Sequence, residues 1–225
     1  MPYDTSRVVG QGGLSREQVG LPAQGFVFCC FNASWKITPE VFEVWMSLLR
    51  QVEGSVLWLK GGEPQVMENL RREARQQGVQ PQRLLFAQRE PSMVAHLGRQ
   101  ELADLFLDTL PYNAHQTACD ALWAGLPVLT CAGRAFAARV AGSVLQAAGV
   151  PELITDSLQQ YESRALELVG QPQVLRGLRD RILSSRGTAL FDMPRLCRHL
   201  ESAYRHMWTL YQSGEPPRSF HIAPA

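Results

Sequence analysis

The chain has 225 residues, enough for one large domain or two small ones. Hydrophobic residues make up 45% of the chain and charged residues 19%, an ordinary globular mixture, and 22 basic against 21 acidic residues leave a net charge of +1. Because no basic field exists to hold a polyanion, these values argue against nucleic acid as a main partner. A single phosphate group needs only a local site.

The cysteines and the amino terminus bear on location. The five cysteines are odd in number and form no CxxC motif, so we expect buried free thiols in a reducing compartment. Residues 1–10 are polar and lack the apolar core of a signal peptide. No run reaches the roughly 18–20 apolar residues of a membrane helix. We therefore expect a cytoplasmic protein with no membrane partner.

Residues 1–22 are rich in Gly, Ser and Gln without periodicity, so we expect a linker or a truncated end. Within residues 23–186, apolar runs alternate with amphipathic stretches. The runs predict strands over residues 26–31, 55–60, 83–87, 102–108, 127–130 and 153–155. The stretches between and after them predict helices over residues 39–51, 64–77, 91–99, 117–125, 135–148, 157–169 and 172–185.

Strands that alternate with helices in this way predict an α/β fold with a parallel sheet covered on both faces. Right-handed crossovers make such a sheet a doubly wound, Rossmann-like domain. Residues 187–213 are expected to hold a long C-terminal helix, and residues 214–225 a flexible tail. The helix is predicted over 194–212 and should pack on a lobe through an apolar stripe made of Leu196, Leu200, Tyr204, Met207 and Tyr211.

The stretch between the fourth and fifth predicted strands suits a phosphate. A strand leads through Pro-Tyr-Asn at 111–113 into a helix that begins near Gln116 and Thr117. The first N–H groups of such a helix point to whatever lies over the strand's carboxyl end. His115 and Asp120 add groups that suit a nucleotide. Three of these residues also have a simpler interpretation. His115 could be only a turn residue, and Thr117 only the cap of the helix. Asp120 could be an acid in the first turn that interacts favourably with the helix dipole.

Three more side chains are candidates for the same ligand. Lys36 follows the first strand and would complete a diphosphate cradle if the two strands are near neighbours; the alternative is a solvated loop lysine. His96 and Arg99 share one face of a short helix and could flank a base, or form only a solvated face. Neither HExxH, nor paired carboxylates, nor a Cys/His cluster occurs, so neither a metal nor a cofactor is expected.

Six blocks of the sequence occur in a recognisable order: FCCFNASWKI (28–37), SVLWL (55–59), LADLFLDT (102–109), NAHQT (113–117), DALWAG (120–125) and FAARVA (136–141). Over about residues 20–212 the chain resembles the C-terminal half of the catalytic region of O-linked N-acetylglucosamine transferases, particularly bacterial homologues. The resemblance implies the C-terminal lobe of a GT-B glycosyltransferase, which binds the nucleotide sugar. An N-terminal lobe and tetratricopeptide repeats, which select acceptor proteins in the family, lie outside this stretch.

The same resemblance implies a reaction and roles at the phosphates. An acceptor Ser or Thr hydroxyl of a protein would displace UDP from UDP-N-acetylglucosamine with inversion and without a metal. Lys36 would be the catalytic residue, because it would neutralise the diphosphate leaving group. His115 and the backbone N–H groups of Gln116 and Thr117 would hold the β-phosphate side.

For the nucleoside, the resemblance implies that Asp120 binds the ribose and that His96 and Arg99 lie at the uracil. The chain departs from the family at four positions. Ala33 stands where Gln or Asn is usual, Gln116 where Thr is usual, and Arg134 where an acid is usual. Met93 falls where animal members carry a ribose-binding lysine, although the alignment there includes a one-residue shift.

These departures leave alternatives open. Binding could be weaker or the sugar different, and the lobe could be a non-catalytic UDP-binding remnant. Another GT-B enzyme, such as a nucleotide-sugar epimerase, is a further alternative. In every case we expect the isolated lobe to be inactive in transfer, because half of the cleft would come from the other lobe.

Overall fold

The computed structural model describes residues 2–10 and 14–223. In this part of the chain a six-stranded sheet is formed by β1 (Val27–Cys30), β2 (Val56–Lys60), β3 (Leu84–Ala87), β4 (Leu105–Leu107), β5 (Val128–Cys131) and β6 (Ile154–Thr155). All pairings are parallel, in the order β3-β2-β1-β4-β5-β6. The predicted doubly wound, Rossmann-like α/β fold is confirmed.

The α-helices are α1 (Pro39–Gln51), α2 (Pro64–Gln76), α3 (Met93–Gly98), α4 (Gln116–Trp123), α5 (Val140–Ala147), α6 (Leu158–Val169), α7 (Pro172–Ser184) and α8 (Met193–Gln212). From β1 the strands follow one another toward one edge of the sheet as β2 and β3, and from β4 toward the other edge as β5 and β6. Right-handed crossovers therefore place the connecting helices of the two halves on opposite faces of the sheet. Consistent with this, α1 contacts α6, while α3, α4 and α5 contact one another in series.

The core explains why the central strands read as continuous apolar runs. All four residues of β1 and all three of β4 are buried, because helices cover both faces of a parallel sheet. The helix α1 begins where the Thr38 hydroxyl accepts a hydrogen bond from the Val41 N–H at 3.4 Å. Its apolar face then buries Trp45 completely.

Two predicted elements are shorter than their apolar runs. The strand expected over residues 102–108 is only Leu105–Leu107, because Arg99–Leu102 forms a 3₁₀ turn after α3. The helix expected over residues 135–148 begins only at Val140, after a separate 3₁₀ turn at Phe136–Ala138. In both cases apolar residues lie in a turn, with Leu102 partly buried and Phe136 77% exposed, so apolar character by itself does not mark the bounds of a regular element.

The amino-terminal segment packs on the domain, where a linker or truncated end was expected over residues 1–22. Tyr3 and Leu21 are buried in the core, and the Arg16 guanidinium lies 2.9 Å from the Asp104 carboxylate. Such contacts join positions far apart in sequence, so they leave no periodicity to read. Met1 and residues 11–13 lie outside the described residues.

The C-terminal helix spans Met193–Gln212, one residue more than the predicted 194–212 and within the expected bounds of 187–213. Four of the five residues of its apolar stripe are exposed, for example Tyr204 at 63% and Tyr211 at 74%, whereas Leu196 is partly buried. Most of the expected packing of this stripe on a lobe is therefore not made by the described residues. Residues 214–223 have no regular secondary structure, and 224–225 lie outside the description.

Candidate functional site

The sequence candidates meet where the strand order reverses. Strands β1 and β4 are direct neighbours, with Phe28 paired to Leu105 and Cys29 to Phe106. The loops that follow them therefore leave the same edge of the sheet side by side. Lys36, in the first loop, donates from Nζ to the Asn113 carbonyl oxygen in the second at 2.9 Å. The expected proximity of Lys36 to the start of α4 is confirmed, at the crevice where doubly wound sheets bind ligands.

A buried carboxylate shapes the second loop. Asp108 Oδ1 accepts hydrogen bonds from the backbone N–H groups of Thr109 at 2.8 Å and Ala114 at 2.6 Å, and from Asn32 Nδ2 at 3.1 Å. The Thr130 hydroxyl donates to Oδ2 at 2.7 Å. Burial raises the pKa of Asp108 to about 6, although these donors act in the opposite direction. Asp108 is thus a structural centre of the loop, and sequence reasoning missed it.

An aromatic ring separates the two residues assigned to the phosphates. The Lys36 Nζ lies 4.0 Å from the centroid of the Tyr112 ring, and the His115 ring stacks on that ring at 5.0 Å. Burial lowers the pKa of Lys36, and the Asp108 carboxylate counteracts this. Lys36 is therefore held in place, and the alternative of a freely solvated lysine is wrong.

Helix α4 begins at Gln116 with His115 at its N-cap position, and no side chain caps it. The capping role considered for Thr117 is therefore wrong, because Thr117 already lies inside the helix. The first N–H groups of a helix have no acceptor within it. The N–H groups of Gln116 and Thr117 belong to this first turn, and the phosphate role that the resemblance implies for them stays a prediction. The His115 Nε2 lies 3.5 Å from the Ala137 carbonyl oxygen.

Beside this helix start lies a cleft of about 540 Å³. Its wall includes four predicted site residues, His96, Arg99, Thr117 and Asp120, and also Met93. These candidates come from α3, the turn after it and α4. Two further wall residues, Phe31 and Lys60, were missed by sequence reasoning. Phe31 and Lys60 directly follow or end buried strands, which is the signal that could have found them.

His96 and Arg99 form a fixed pair in this cleft. Arg99 is only 5% exposed, and its guanidinium donates to His96 Nδ1 at 2.9 Å and to the Gln88 carbonyl oxygen at 2.7 Å. The solvated-face alternative is therefore wrong for Arg99. Burial, and next the Arg99 charge, lower the pKa of His96. Because Arg99 can only donate, a neutral His96 carries its proton on Nε2, which makes that atom a donor.

Asp120 is buried and paired with a residue of the amino-terminal segment. Arg7 Nη1 lies 2.9 Å from Asp120 Oδ1, and His96 Nε2 lies 3.9 Å from Oδ2. Asp120 lies beyond the first turn of α4, so the alternative of a first-turn acid is wrong. No local pattern could have revealed Arg7, since it lies in a segment without periodicity.

The four departures from the family lie around the same edge. Ala33 is partly buried in the loop that carries Lys36, and Gln116 is partly buried at the start of α4. Met93 is exposed, with its sulfur 3.8 Å from Arg7 Nη1. Arg134 is exposed in the loop after β5. Each departure therefore lies close to the candidate site or on a loop of its edge.

Two features are absent from the described residues, 2–10 and 14–223: a metal-binding cluster and a membrane-spanning helix. These residues contain no group of three or more His, Cys, Asp or Glu side chains arranged to hold a metal ion. Within the same ranges, no helix combines the length and apolar character needed to cross a membrane.

Comparison with known proteins shows to which family the chain belongs. The model of glycosyl transferase family 41 matches residues 10–200. The probable UDP-N-acetylglucosamine–peptide N-acetylglucosaminyltransferase SEC of Arabidopsis thaliana is 38% identical over 92% of this chain and 21% of its own length. The corresponding Caenorhabditis elegans enzyme is 37% identical over 90% of this chain and 18% of its own. The chain therefore spans about a fifth of the curated relatives that it matches.

Solved structures agree. A mutant of the Thermobaculum terrenum O-GlcNAc transferase superposes with a TM-score of 0.77 at 33% identity, over 82% of this chain and 36% of that one. The Anabaena protein HepE in complex with UDP has a TM-score of 0.62 at 14% identity, over 85% of this chain and 51% of that one, and it shows the shared fold alone. Sequence and structure together show that this chain belongs to glycosyl transferase family 41.

Proposed function

We propose that this chain is the UDP-sugar-binding lobe of a protein O-glycosyltransferase, with UDP-N-acetylglucosamine as its donor. The proposal rests on one observation: three features lie together at the point between β1 and β4 where the strand order reverses. They are Lys36, the start of α4 without a side-chain cap, and the cleft. The cleft is lined by His96, Arg99 and Asp120. The printed names of the Arabidopsis, nematode and Thermobaculum relatives describe this chemistry in those proteins.

The diphosphate is assigned to Lys36 and the start of α4. Lys36 Nζ has three hydrogens, and its bond to Asn113 leaves two to donate. Each charge-assisted hydrogen bond contributes about 1.5–3 kcal/mol, and the helix terminus adds about 0.3–1 kcal/mol. Both stabilise the negative charge that grows on the leaving oxygen as the sugar–phosphate bond breaks, which is the catalytic effect proposed for Lys36. His115 and Gln116 lie on the β-phosphate side.

The nucleoside is assigned to the cleft. The Nε2–H of a neutral His96 donates to a carbonyl oxygen of the base, while Arg99 fixes the ring from the other side. The Asp120 carboxylate accepts hydrogen bonds from ribose hydroxyls. In this mechanism no metal or cofactor takes part, since cationic and N–H groups of the chain meet the phosphate charge.

The rest of the reaction belongs to other parts of the full protein. An acceptor Ser or Thr hydroxyl attacks the sugar and inverts its configuration. Binding of the acceptor protein is assigned to an N-terminal lobe and to helical repeats. We propose that this 225-residue chain alone does not transfer sugar to a peptide at a useful rate. Mass spectrometry of a peptide incubated with the chain and donor tests this, and robust glycosylation would refute it.

We also propose that the protein is located in the cytoplasm. All five cysteines are free, and four of them are buried, which suits a compartment that keeps thiols reduced. Bacterial origin, suggested by the resemblance, is part of the same proposal.

A non-catalytic UDP-binding module is the second candidate. It is favoured by Ala33, Gln116 and Met93, which replace side chains that the family uses near the phosphates and the ribose. The two functions differ once the remainder of the protein is joined to this chain. Transfer of sugar by the joined protein supports the first, and UDP binding without transfer supports the second. A GT-B epimerase would instead change the sugar of the donor.

The deciding experiment is calorimetric titration of UDP into the chain, with Lys36→Ala beside it. Micromolar binding that weakens at least about tenfold in Lys36→Ala would support the donor site. The matched control is Arg50→Ala, which removes an exposed cation at the far end of α1, where Arg50 donates to the Gln77 carbonyl oxygen. Absence of UDP binding by the unmodified chain, or equal binding by Lys36→Ala, would refute the assignment.

A further inference from the structure

Through one side chain, the amino-terminal segment contacts two residues that line the cleft. The guanidinium of Arg7 lies 2.9 Å from Asp120 Oδ1 and 3.8 Å from the Met93 sulfur, and both Asp120 and Met93 line the cleft. The two side chains of the ion pair are only 24% and 10% exposed. A pair this well shielded from solvent keeps more of its attraction than a surface pair does.

Rigid groups hold Arg7 in this place. Its carbonyl oxygen accepts a hydrogen bond from Trp123 Nε1 at 3.0 Å. The Tyr3 ring packs on both Trp123 and Phe191, with centroids 5.5 Å and 5.2 Å apart. On the other side of Arg7, the Gly10 N–H donates to the Val94 carbonyl oxygen at 3.3 Å. The segment is thus anchored on α3 and on α4, the two helices that carry His96 and Asp120.

The two oxygens of Asp120 are used differently. Oδ1 is occupied by Arg7. His96 Nε2 lies 3.9 Å from Oδ2, which exceeds hydrogen-bonding distance. The Tyr3 hydroxyl also faces this carboxylate, because burial and then the Asp120 charge raise the pKa of Tyr3. An ionised carboxylate offers about four acceptor sites, so Asp120 still retains acceptor sites for a ligand.

We propose that Arg7 is a positioning residue of the nucleotide site: it fixes Asp120 through Oδ1, so that Oδ2 accepts the vicinal hydroxyls of a ribose. The inference rests on the proposed function, because it assumes that a nucleotide occupies the cleft. It makes the segment before β1 part of the donor site. Loss of Arg7 leaves a buried carboxylate without its counter-charge and free to change rotamer.

The chain supplies a matched control in Arg16. This residue belongs to the same segment and forms an ion pair of the same length, 2.9 Å, with Asp104. Arg16 also donates to the Leu102 and Gly25 carbonyl oxygens, all near the amino ends of the strands and opposite the cleft. Arg16→Ala therefore loosens the segment without touching the site, so it reports the purely structural effect.

The test is to measure, by titration calorimetry, the affinity of each variant for UDP and for 2′,3′-dideoxy-UDP, which lacks the two ribose hydroxyls. Denaturant unfolding of every variant confirms that it is folded. We expect Arg7→Ala to weaken UDP binding about tenfold, the size of one charge-assisted contact, and dideoxy-UDP binding less than about threefold. Arg16→Ala should alter neither. Arg7→Lys should recover part of the loss. In an Asp120→Asn background, Arg7→Ala should have no further effect on UDP affinity.

Equal losses for the two ligands, unchanged UDP affinity, or the same loss in Arg7→Ala and Arg16→Ala would each overturn the role of Arg7. The donor site itself would survive if the unmodified chain bound UDP and Lys36→Ala did not. Failure of the unmodified chain to bind UDP would overturn both. Should Arg7→Ala fail to fold, Arg7→Gln, which keeps most of the side-chain length, is judged by the same criteria.

Discussion

The hydroxyl of Thr130 donates to the buried carboxylate of Asp108 at 2.7 Å, which ties the carboxyl ends of β5 and β4 together. The other oxygen of Asp108 holds the backbone of the loop that leads to α4. The phosphate side of the candidate site is therefore built on a carboxylate that does not itself reach the cleft.

Asp108→Ala should destabilise the fold by about 2–4 kcal/mol, because it leaves the N–H groups of Thr109 and Ala114 buried without an acceptor. Asp108→Asn should lose much less, since its amide oxygen can still accept those two hydrogen bonds. Denaturant unfolding of the two variants measures the difference. Equal destabilisation by Ala and Asn would show that charge, and not hydrogen-bond geometry, holds the loop.

Asp108 should also leave a signature in the pH dependence of stability. Its pKa rises from 3.8 to about 6 on folding, so between these values the folded state binds a proton that the unfolded state does not. The contribution of this group to stability is therefore greatest at low pH and falls as the pH rises toward 6. Each pKa unit corresponds to about 1.4 kcal/mol.

The unfolding free energy of the unmodified chain, minus that of Asp108→Asn, should accordingly be larger at pH 4 than at pH 7. Other carboxylates titrate in both proteins and cancel in this difference. A difference that is flat with pH, or that grows toward pH 7, would contradict the raised pKa.

Tyr112→Ala should weaken UDP binding about two- to fivefold. The ring lies against the Lys36 ammonium and stacks on His115, and a cation–π contact at a partly exposed site contributes about 0.5–1 kcal/mol. Tyr112→Phe keeps the ring and should bind UDP like the unmodified chain. Titration calorimetry of both variants decides this, and tighter binding by Tyr112→Ala would mean that the ring obstructs the site.

Tyr161→Phe should cost about 1–3 kcal/mol of stability. The Tyr161 hydroxyl accepts from Trp45 Nε1 at 3.3 Å and donates to the Asp108 carbonyl oxygen at 3.1 Å. All three groups are buried, so removing the hydroxyl leaves a donor and an acceptor unpaired. Tyr204→Phe on the exposed face of α8 is the control and should unfold at the same denaturant concentration as the unmodified chain. If Tyr161→Phe were as stable as the unmodified protein, the two hydrogen bonds of the Tyr161 hydroxyl would not contribute to stability.

The sequence by itself was enough for the sheet and for much of the site's composition. Buried parallel strands require continuous apolar runs, and their ends predicted correctly where Lys36 and the start of α4 would lie. The same local signals could not separate a regular strand or helix from an adjoining 3₁₀ turn that also contains apolar residues. For this reason the strand at 102–108 and the helix at 135–148 were predicted too long.

Tertiary structure alone decided which side chains line the cleft together, how deeply they are buried and which groups they contact. The pairing of β1 with β4 joins loops that lie more than seventy positions apart, as the bond from Lys36 to Asn113 shows. Burial made Asp108 the centre of its loop and turned Arg99 inward against His96. The contact of Arg7 with Asp120 spans 113 positions. Contacts at such separations leave no periodic trace in the sequence, because they depend on how the finished elements pack.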